Sequence, residues 1–223
     1  MLVYGKNVLK DIIEHKTKVS KAFVYKNFDD KDLINRLNTK VMYLEKYELD
    51  KMVDGLHQGV ILQIDDYKYY DIDSLDEKIV MLDHIEDPHN LGAIIRTCEA
   101  AGINSIIIPK DRSVLVNGTV MKTSAGTLNH VKICQVTNLV NTISYLKNKG
   151  YWIIGTDMQG NDYKTIDYSG KIVIIIGNEG KGISKLVKEN CDFIATIPMN
   201  GEVNSLNASV AAGIIIFESV RKG

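Results

Sequence analysis

The sequence predicts an α/β protein, a mostly parallel sheet wound with helices and preceded by a small α/β domain. Three observations predict it. From Lys78 onward strand-like and helix-like patterns alternate, which implies parallel strands joined by crossover helices. The run Ile172–Ile176 has no polar residue at period two, so as a strand it is buried on both faces, as in such a sheet. Residues 1–64 carry a separate, shorter alternation that ends in an acidic stretch.

Taken in order, Lys6–His15 puts Val8, Leu9, Ile12 and Ile13 on one helical face. Ala22–Tyr25 reads as a strand, Asp29–Leu37 as a helix capped by Asp29 or Asp30, and Val41–Leu44 as a strand. Tyr47–Val53 looks helical, and the strand Gly59–Ile64 closes the first domain, 1–64. Residues 65–78, acidic and rich in tyrosine, read as a linker.

The second domain, 79–223, opens with the strand Ile79–Asp83. A loop with Pro88 follows, and Asn90 is placed to cap a helix Leu91–Gly102 that buries Leu91, Ile94, Ile95, Cys98 and Ala101. Arg96 lies off that stripe, near the strand edge where α/β ligands bind. The series continues with Ser105–Pro109, the short helix Gly118–Ala125, His130–Val136, the helix Asn138–Lys149, Trp152–Thr156 and Ile172–Gly177. Then come the glycine-rich Gly177–Ser184, a short helical segment, the apolar run Phe193–Pro198 and the loop Met199–Asn207.

The chain closes with Ala208–Val220. Ala208, Ser209, Ala211, Ala212 and Gly213 allow close backbone approach, while Val210, Ile214, Ile215, Ile216 and Phe217 leave no wet face. A helix apolar all round is buried, and this one is too short to span a membrane. A core or a subunit interface must cover it.

Composition is that of an ordinary globular chain, 45% hydrophobic and 25% charged. At 223 residues it is long enough for two domains. The start lacks an apolar h-region, so no signal peptide is expected. Cys98, Cys134 and Cys191 are widely spaced in apolar company and read as buried thiols of a cytoplasmic protein, with neither disulfide nor metal spacing. His84, Asp87 and His89 straddle a proline in a loop, so no metal is expected there. The net charge of −1 does not announce a nucleic-acid binder, although residues 1–26 carry a local excess of four positive charges.

The loop after Ile176 is neither a Walker A nor a Rossmann fingerprint, because Ile183 follows Gly182 and the G-x-G-x-x-G spacing is absent. Three glycines there would still let backbone N–H groups approach a ligand. No G-x-S-x-G elbow or triad order supports acyl transfer.

Three segments together resemble a known family: Asn90-Leu91-Gly92-Ala93-Ile94-Ile95-Arg96-Thr97, Ile176-Gly177-Asn178-Glu179-Gly180-Lys181-Gly182-Ile183, and Ile197-Pro198-Met199 through Ser205-Leu206-Asn207-Ala208. They look like the three motifs of the SpoU/TrmH RNA ribose 2′-O-methyltransferases of the SPOUT superfamily. Tyr4-Gly5-Lys6-Asn7-Val8 and His57-Gln58-Gly59-Val60 resemble the ends of that family's N-terminal substrate-binding domain, similar to L30e and L7Ae. The resemblance implies S-adenosylmethionine as cofactor, RNA as substrate, a C-terminal trefoil knot, and a homodimer built on the knotted region. By position it implies Asn90, Arg96, Glu179, Ser205 and Asn207 as active-site residues and Gly177, Ile197 and Leu206 as cofactor contacts. Thr156 and Gly180 join the latter because they sit at neighbouring strand ends.

The resemblance casts Arg96 as the base, yet a guanidinium stays protonated in proteins. Gripping the phosphate beside the target ribose suits its fork geometry better. Ser205 or Asn207 would then orient the hydroxyl, and Glu179 would hold the loop or Arg96. The two-domain layout points by likeness to the branch that modifies 23S rRNA guanosine. A tRNA 2′-O-methyltransferase, a non-catalytic RNA-binding dimer, and a nucleotide-dependent enzyme using the 177–182 loop are the alternatives.

Overall fold

β-Branched residues flanked by glycine and asparagine turns set the elements of this computed structural model, which describes residues 1–203 and 205–221. In chain order the first are β1 (Leu2–Tyr4), α1 (Lys6–Glu14), β2 (Val19–Tyr25), α2 (Lys31–Asn35), β3 (Val41–Leu44), α3 (Lys46–Asp50) and β4 (Val60–Ile64). Next come β5 (Lys78–Asp83), α4 (Pro88–Ala100), β6 (Ser105–Pro109), α5 (Gly118–Thr123), β7 (Lys132–Val136) and α6 (Leu139–Asn148). The last are β8 (Trp152–Asp162), β9 (Ile172–Gly177), α7 (Lys185–Glu189), β10 (Phe193–Thr196) and α8 (Ala208–Arg221).

The chain divides into two units. One holds Met1–Lys68 together with Val116–Gly126, and the other the remainder. In the first, a four-stranded sheet of order β1-β4-β2-β3 pairs β4 antiparallel with β1 and β2, and β2 parallel with β3. α1 buries Val8, Leu9 and Ile12, the face its periodicity predicts, and Asp30 caps α2 by accepting from Leu33 N–H. β1 is too short to show a period and goes unpredicted.

The position of α5 differs from the contiguous range 79–223 expected for the second domain: α5 belongs to the first unit. Gly118 explains the close docking, since a Cβ there would lie 2.2 Å from the carbonyl oxygen of Leu2. The Thr119 hydroxyl shares a 3.0 Å hydrogen bond with Tyr4, and Lys122 donates to the Leu56 carbonyl at 2.7 Å. None of these tertiary contacts has a local sequence signal.

The second unit is a six-stranded sheet of order β10-β8-β9-β5-β6-β7 with every pairing parallel. In its central strands Ile79–Leu82 and Ile172–Ile176 are apolar at every position because both faces are covered. Ile79, Met81, Val173 and Ile175 pack with α6 and α7 residues on one face. α4 and α8 pack against each other, with α8 also on β9. The expected linker is partly attached here. Tyr70 N–H donates to Ile133 at the edge strand β7, and Lys132 reaches Ser74 and Asp76. An edge strand left with open donors and acceptors is a pairing hazard, and this segment covers part of it. β8 runs six residues beyond the expected Thr156, to Asp162. There Gly160 permits close approach, since a Cβ would meet the Ile194 carbonyl at 2.4 Å.

Candidate active site at the C-terminal edge of the parallel sheet

Because all six strands are parallel, β5, β9 and β10 end on one edge, at Asp83, Gly177 and Thr196. That edge is where open α/β sheets bind ligands, and the three motif segments leave from it.

The glycine loop is a closed hairpin. Asn178 N–H donates to Gly182 O at 3.1 Å and Gly182 N–H to Asn178 O at 2.8 Å. Gly180 N–H donates to the Asn178 side chain at 3.0 Å, and the Asn178 amide donates to His84 O at 2.9 Å. The three glycines therefore serve different ends. Gly177 must lack a Cβ, which would lie 2.2 Å from the Gly182 carbonyl carbon. Gly182 takes a φ of 66°, in the left-handed region. At Gly180 a Cβ would meet only Asn178 Oδ1, at 3.7 Å, so that side is open. This corrects the expectation of free backbone donors: the N–H groups of Gly180 and Gly182 are spent inside the loop, which weighs against a phosphate cradle.

Asp83, 1% exposed, anchors the same loop. Its Oδ2 accepts from Ser184 N–H at 2.6 Å and its Oδ1 from His84 Nδ1 at 2.5 Å. His84 sits at a φ of 58°, a left-handed conformation uncommon for a residue with a side chain. Asp83, Asn178 and Ser184 are the residues that sequence reasoning missed. A lone carboxylate ending an otherwise apolar buried strand was the available signal.

Asn90 does not cap its helix, contrary to expectation. α4 begins three residues earlier than expected: Asp87 accepts from His89 N–H, and Pro88 occupies the first turn. Proline suits that position because the N–H it lacks would have no partner there. Asn90 is thus helical, 7% exposed, and its amide donates to the Glu179 carboxylate. Glu179 accordingly joins the first motif to the second. Arg96 is exposed and, among the described residues, makes no hydrogen bond or ion pair. It lies six residues past Asn90, about 9 Å further along the helix axis, so within this chain it stands back from the strand edge.

Asn207 caps α8: its side chain accepts from Ser209 N–H at 2.9 Å and from the Ser209 hydroxyl at 2.6 Å, and its carbonyl from Ala211 N–H. Ser205 is exposed, while Ile197 and Leu206 are half-buried. Asn204 of the same loop lies outside the described residues. Thr156 donates to the Ile175 carbonyl at 2.9 Å and so ties β8 to β9 beside Gly177. The structure thus unites Asn90 with Glu179 and the Gly177–Gly182 loop; it shows no hydrogen bond from these to Arg96, Ser205 or Asn207 among the described residues.

Burial pushes the Cys191 and Cys134 thiols up to about 11, and Cys98 higher still. None is a thiolate nucleophile near neutral pH. Among the described residues no group of three or more His, Cys, Asp or Glu is arranged to hold a metal.

Comparison with known proteins extends this geometry. A family model described as the SpoU rRNA Methylase family matches residues 77–217, and one described as RNA 2′-O ribose methyltransferase substrate binding matches residues 2–70. The chain is 39% identical over 236 residues to YacO of Bacillus subtilis strain 168, assigned to the TrmH family of tRNA/rRNA methyltransferases, spanning 99% of this chain and 95% of that protein. A Staphylococcus aureus strain COL protein of the same assignment is 43% identical over 209 residues, 89% of this chain and 82% of its own. In fold, the chain matches the SpoU methyltransferase AviRb of Streptomyces viridochromogenes, solved with AdoMet, at a TM-score of 0.86 and 23% identity, covering 99% and 89% of the two chains. An AdoMet-bound rRNA methyltransferase from Sinorhizobium meliloti matches at 0.80 and 24%, covering 99% and 86%. With family models across both units and relatives this similar over nearly the whole length, the chain belongs to the SpoU/TrmH family of RNA methyltransferases.

Proposed function

We propose that this protein methylates a ribose 2′-hydroxyl in structured RNA, using S-adenosylmethionine and acting as a homodimer in the cytoplasm. Ribosomal RNA, a 23S guanosine first, is the substrate we favour, with tRNA as the alternative. The observation that carries the reading is the Asn90–Glu179 hydrogen bond at the sheet edge, which joins two of the family's motifs in one site. The descriptions of the two matched family models support the chemistry.

The residues fit the cofactor. Half-buried Ile197 and Leu206 offer apolar surface for a heterocycle, and the Gly180 side of the loop is open to close approach. Gly177 and Thr156 hold the strand ends behind it. When bound, S-adenosylmethionine supplies an electrophilic methyl group on a sulfonium. The protein's main task is then alignment of the ribose oxygen. Arg96, exposed and free to reach out, grips the phosphate next to the target ribose through paired N–H donors. Ser205 orients the hydroxyl with the Asn207 amide. The proton needs an acceptor as the oxygen attacks. Glu179 holds Asn90 and the loop in register rather than holding Arg96.

The proposed dimer rests on α8. Val210 and Phe217 are each 50% exposed on one stripe of an otherwise apolar helix. A twin subunit covering that stripe would satisfy it, and the trefoil knot expected for the 177–221 region belongs to the same proposal.

The test is transfer of labelled methyl from S-adenosylmethionine to total RNA, with mapping of the modified ribose. Arg96→Ala should lower the rate at least about a hundredfold, on the scale of a lost charge clamp. Arg96→Lys should recover part of it if charge alone matters. Full activity in Arg96→Ala would discard the clamp. No calorimetric heat with S-adenosylmethionine would favour a non-catalytic RNA binder.

A further inference from the structure

The first unit holds a cavity of about 620 Å³ between the segments around Phe28 and His57. That size lies in the range of small-ligand sites. Its apolar surface comes from Tyr25, the ring of Phe28 and the side chain of Leu56, which is 71% exposed.

The polar groups define what could enter. Lys6 Nζ contacts both carboxylate oxygens of Asp29, at 2.7 and 2.8 Å, so its charge is neutralised in place. Asp29 and Asp50 also line the space. Lys46 lines the space as well, so two ammonium groups balance two carboxylates and the lining carries no net charge to draw in an anion.

Among these groups, Asp50 and Gln58 combine open hydrogen-bonding capacity with a fixed orientation. His57, buried, accepts from Gly59 N–H at its Nδ1 at 2.9 Å, so the proton sits on Nε2, which donates to Asp50 Oδ1 at 2.8 Å. Asp50 Oδ2 has no partner among the described residues. Gln58 uses its Oε1 to accept from Lys6 N–H at 2.9 Å, which leaves its amide N–H₂ open. Gln58 itself is held at a φ of 53°, a left-handed conformation that persists only where the surroundings impose it. An oriented acceptor and an amide donor thus stand beside apolar surface.

We infer that this cavity takes one unpaired nucleobase bearing an exocyclic amino group, adenine or cytosine in preference to uracil. The inference rests on the RNA-directed reading above and deepens it. The amino group donates to Asp50 Oδ2, as carboxylates accept from cytosine N4, and a neighbouring ring nitrogen accepts from the Gln58 amide. Uracil presents carbonyl oxygens where the amino group would stand. Single-stranded RNA offers bases splayed out for such edge recognition.

The test measures short oligoadenylate, oligocytidylate and oligouridylate binding to the full chain by fluorescence anisotropy at fixed salt. The first two should bind about tenfold tighter than the third, the scale of one good base-edge contact. Asp50→Asn, which keeps an acceptor for His57, should bring all three within about twofold of one another. Leu56→Ala, a surface change, should weaken all three and keep their order. The Leu56 methyl NMR signals of the wild type should shift on adding oligoadenylate, a readout that needs no variant. Equal wild-type affinities, an unchanged order in folded Asp50→Asn, or still Leu56 methyls would overturn the pocket. Wild type that methylates RNA without base preference sinks the pocket alone. Preference and methyl shifts in a protein that methylates no RNA uphold the pocket and sink the methyltransferase reading.

Discussion

Asn90 and Glu179 stand 89 positions apart in sequence, yet one hydrogen bond between them makes a site out of a helix and a loop. Removing the acceptor leaves a nearly buried amide without its partner, which costs about 1–2 kcal/mol. Glu179→Ala should therefore lower the melting temperature and reduce methyl transfer at least about tenfold, by a combination of loop disorder and lost alignment. Glu179→Gln, which retains an acceptor oxygen, should recover most of the stability; a melt equal to that of Glu179→Ala would deny the bond its structural part. A second residue-scale effect is pH-dependent. Hydrogen bonds from Lys132, at 2.7 Å, and from Ser105 hold the Asp76 carboxyl below its ordinary range, against partial burial. A folded pKa below the unfolded one means that the stabilisation is present above about pH 4 and disappears as pH falls through the folded value. Both side chains are substantially exposed, so solvent screening holds it to a few tenths of a kcal/mol, about 1 at most. Asp76→Asn should melt slightly below wild type at pH 7, and the gap should close on acidification.

At the scale of elements, the hairpin after β9 depends on a glycine that faces inward. Gly177→Ala would press a methyl group into the Gly182–Ile183 backbone, and the strand end cannot move without breaking its pairing with β5. Overpacking of that kind costs about 2–4 kcal/mol, measurable by denaturant titration. Gly180→Ala, three positions on, should leave stability within about 0.5 kcal/mol and weaken S-adenosylmethionine binding by calorimetry. An unchanged affinity there would remove the open side of the loop from the cofactor site. The same contrast shows what spacing conveys. Gly177, Gly180 and Gly182 look interchangeable in sequence, whereas packing, exposure and a positive φ separate them.

For the molecule as a whole, α8 decides between two ways of covering an apolar helix. Ala212, Ile215 and Ile216 are buried against their own chain, while Val210 and Phe217 remain half-open. Glu218 and Ser219, near the end, are buried as well: Glu218 pairs with Arg221, and the Ser219 carbonyl accepts from Lys78 at 2.9 Å. The helix is therefore apolar on both sides, as its sequence suggests, with one side covered by its own chain and the other half-open. Phe217→Lys should leave the fold intact and shift the protein from dimer to monomer in sedimentation velocity, with loss of methyl transfer. A wild type that sediments as a monomer would end the dimer proposal.

By itself the sequence determined the parallel sheet, because Ile79–Leu82 and Ile172–Ile176 can be buried on both sides only there. It also determined the family, through short motifs whose residues stand unchanged. Tertiary structure alone decided that α5 joins the first unit, that Asp83 pins the glycine hairpin, and that Glu179 binds Asn90 in preference to Arg96. The reason is physical. Periodicity and caps act within a few residues along the chain, whereas a hydrogen bond across 89 positions leaves no period for a sequence to display.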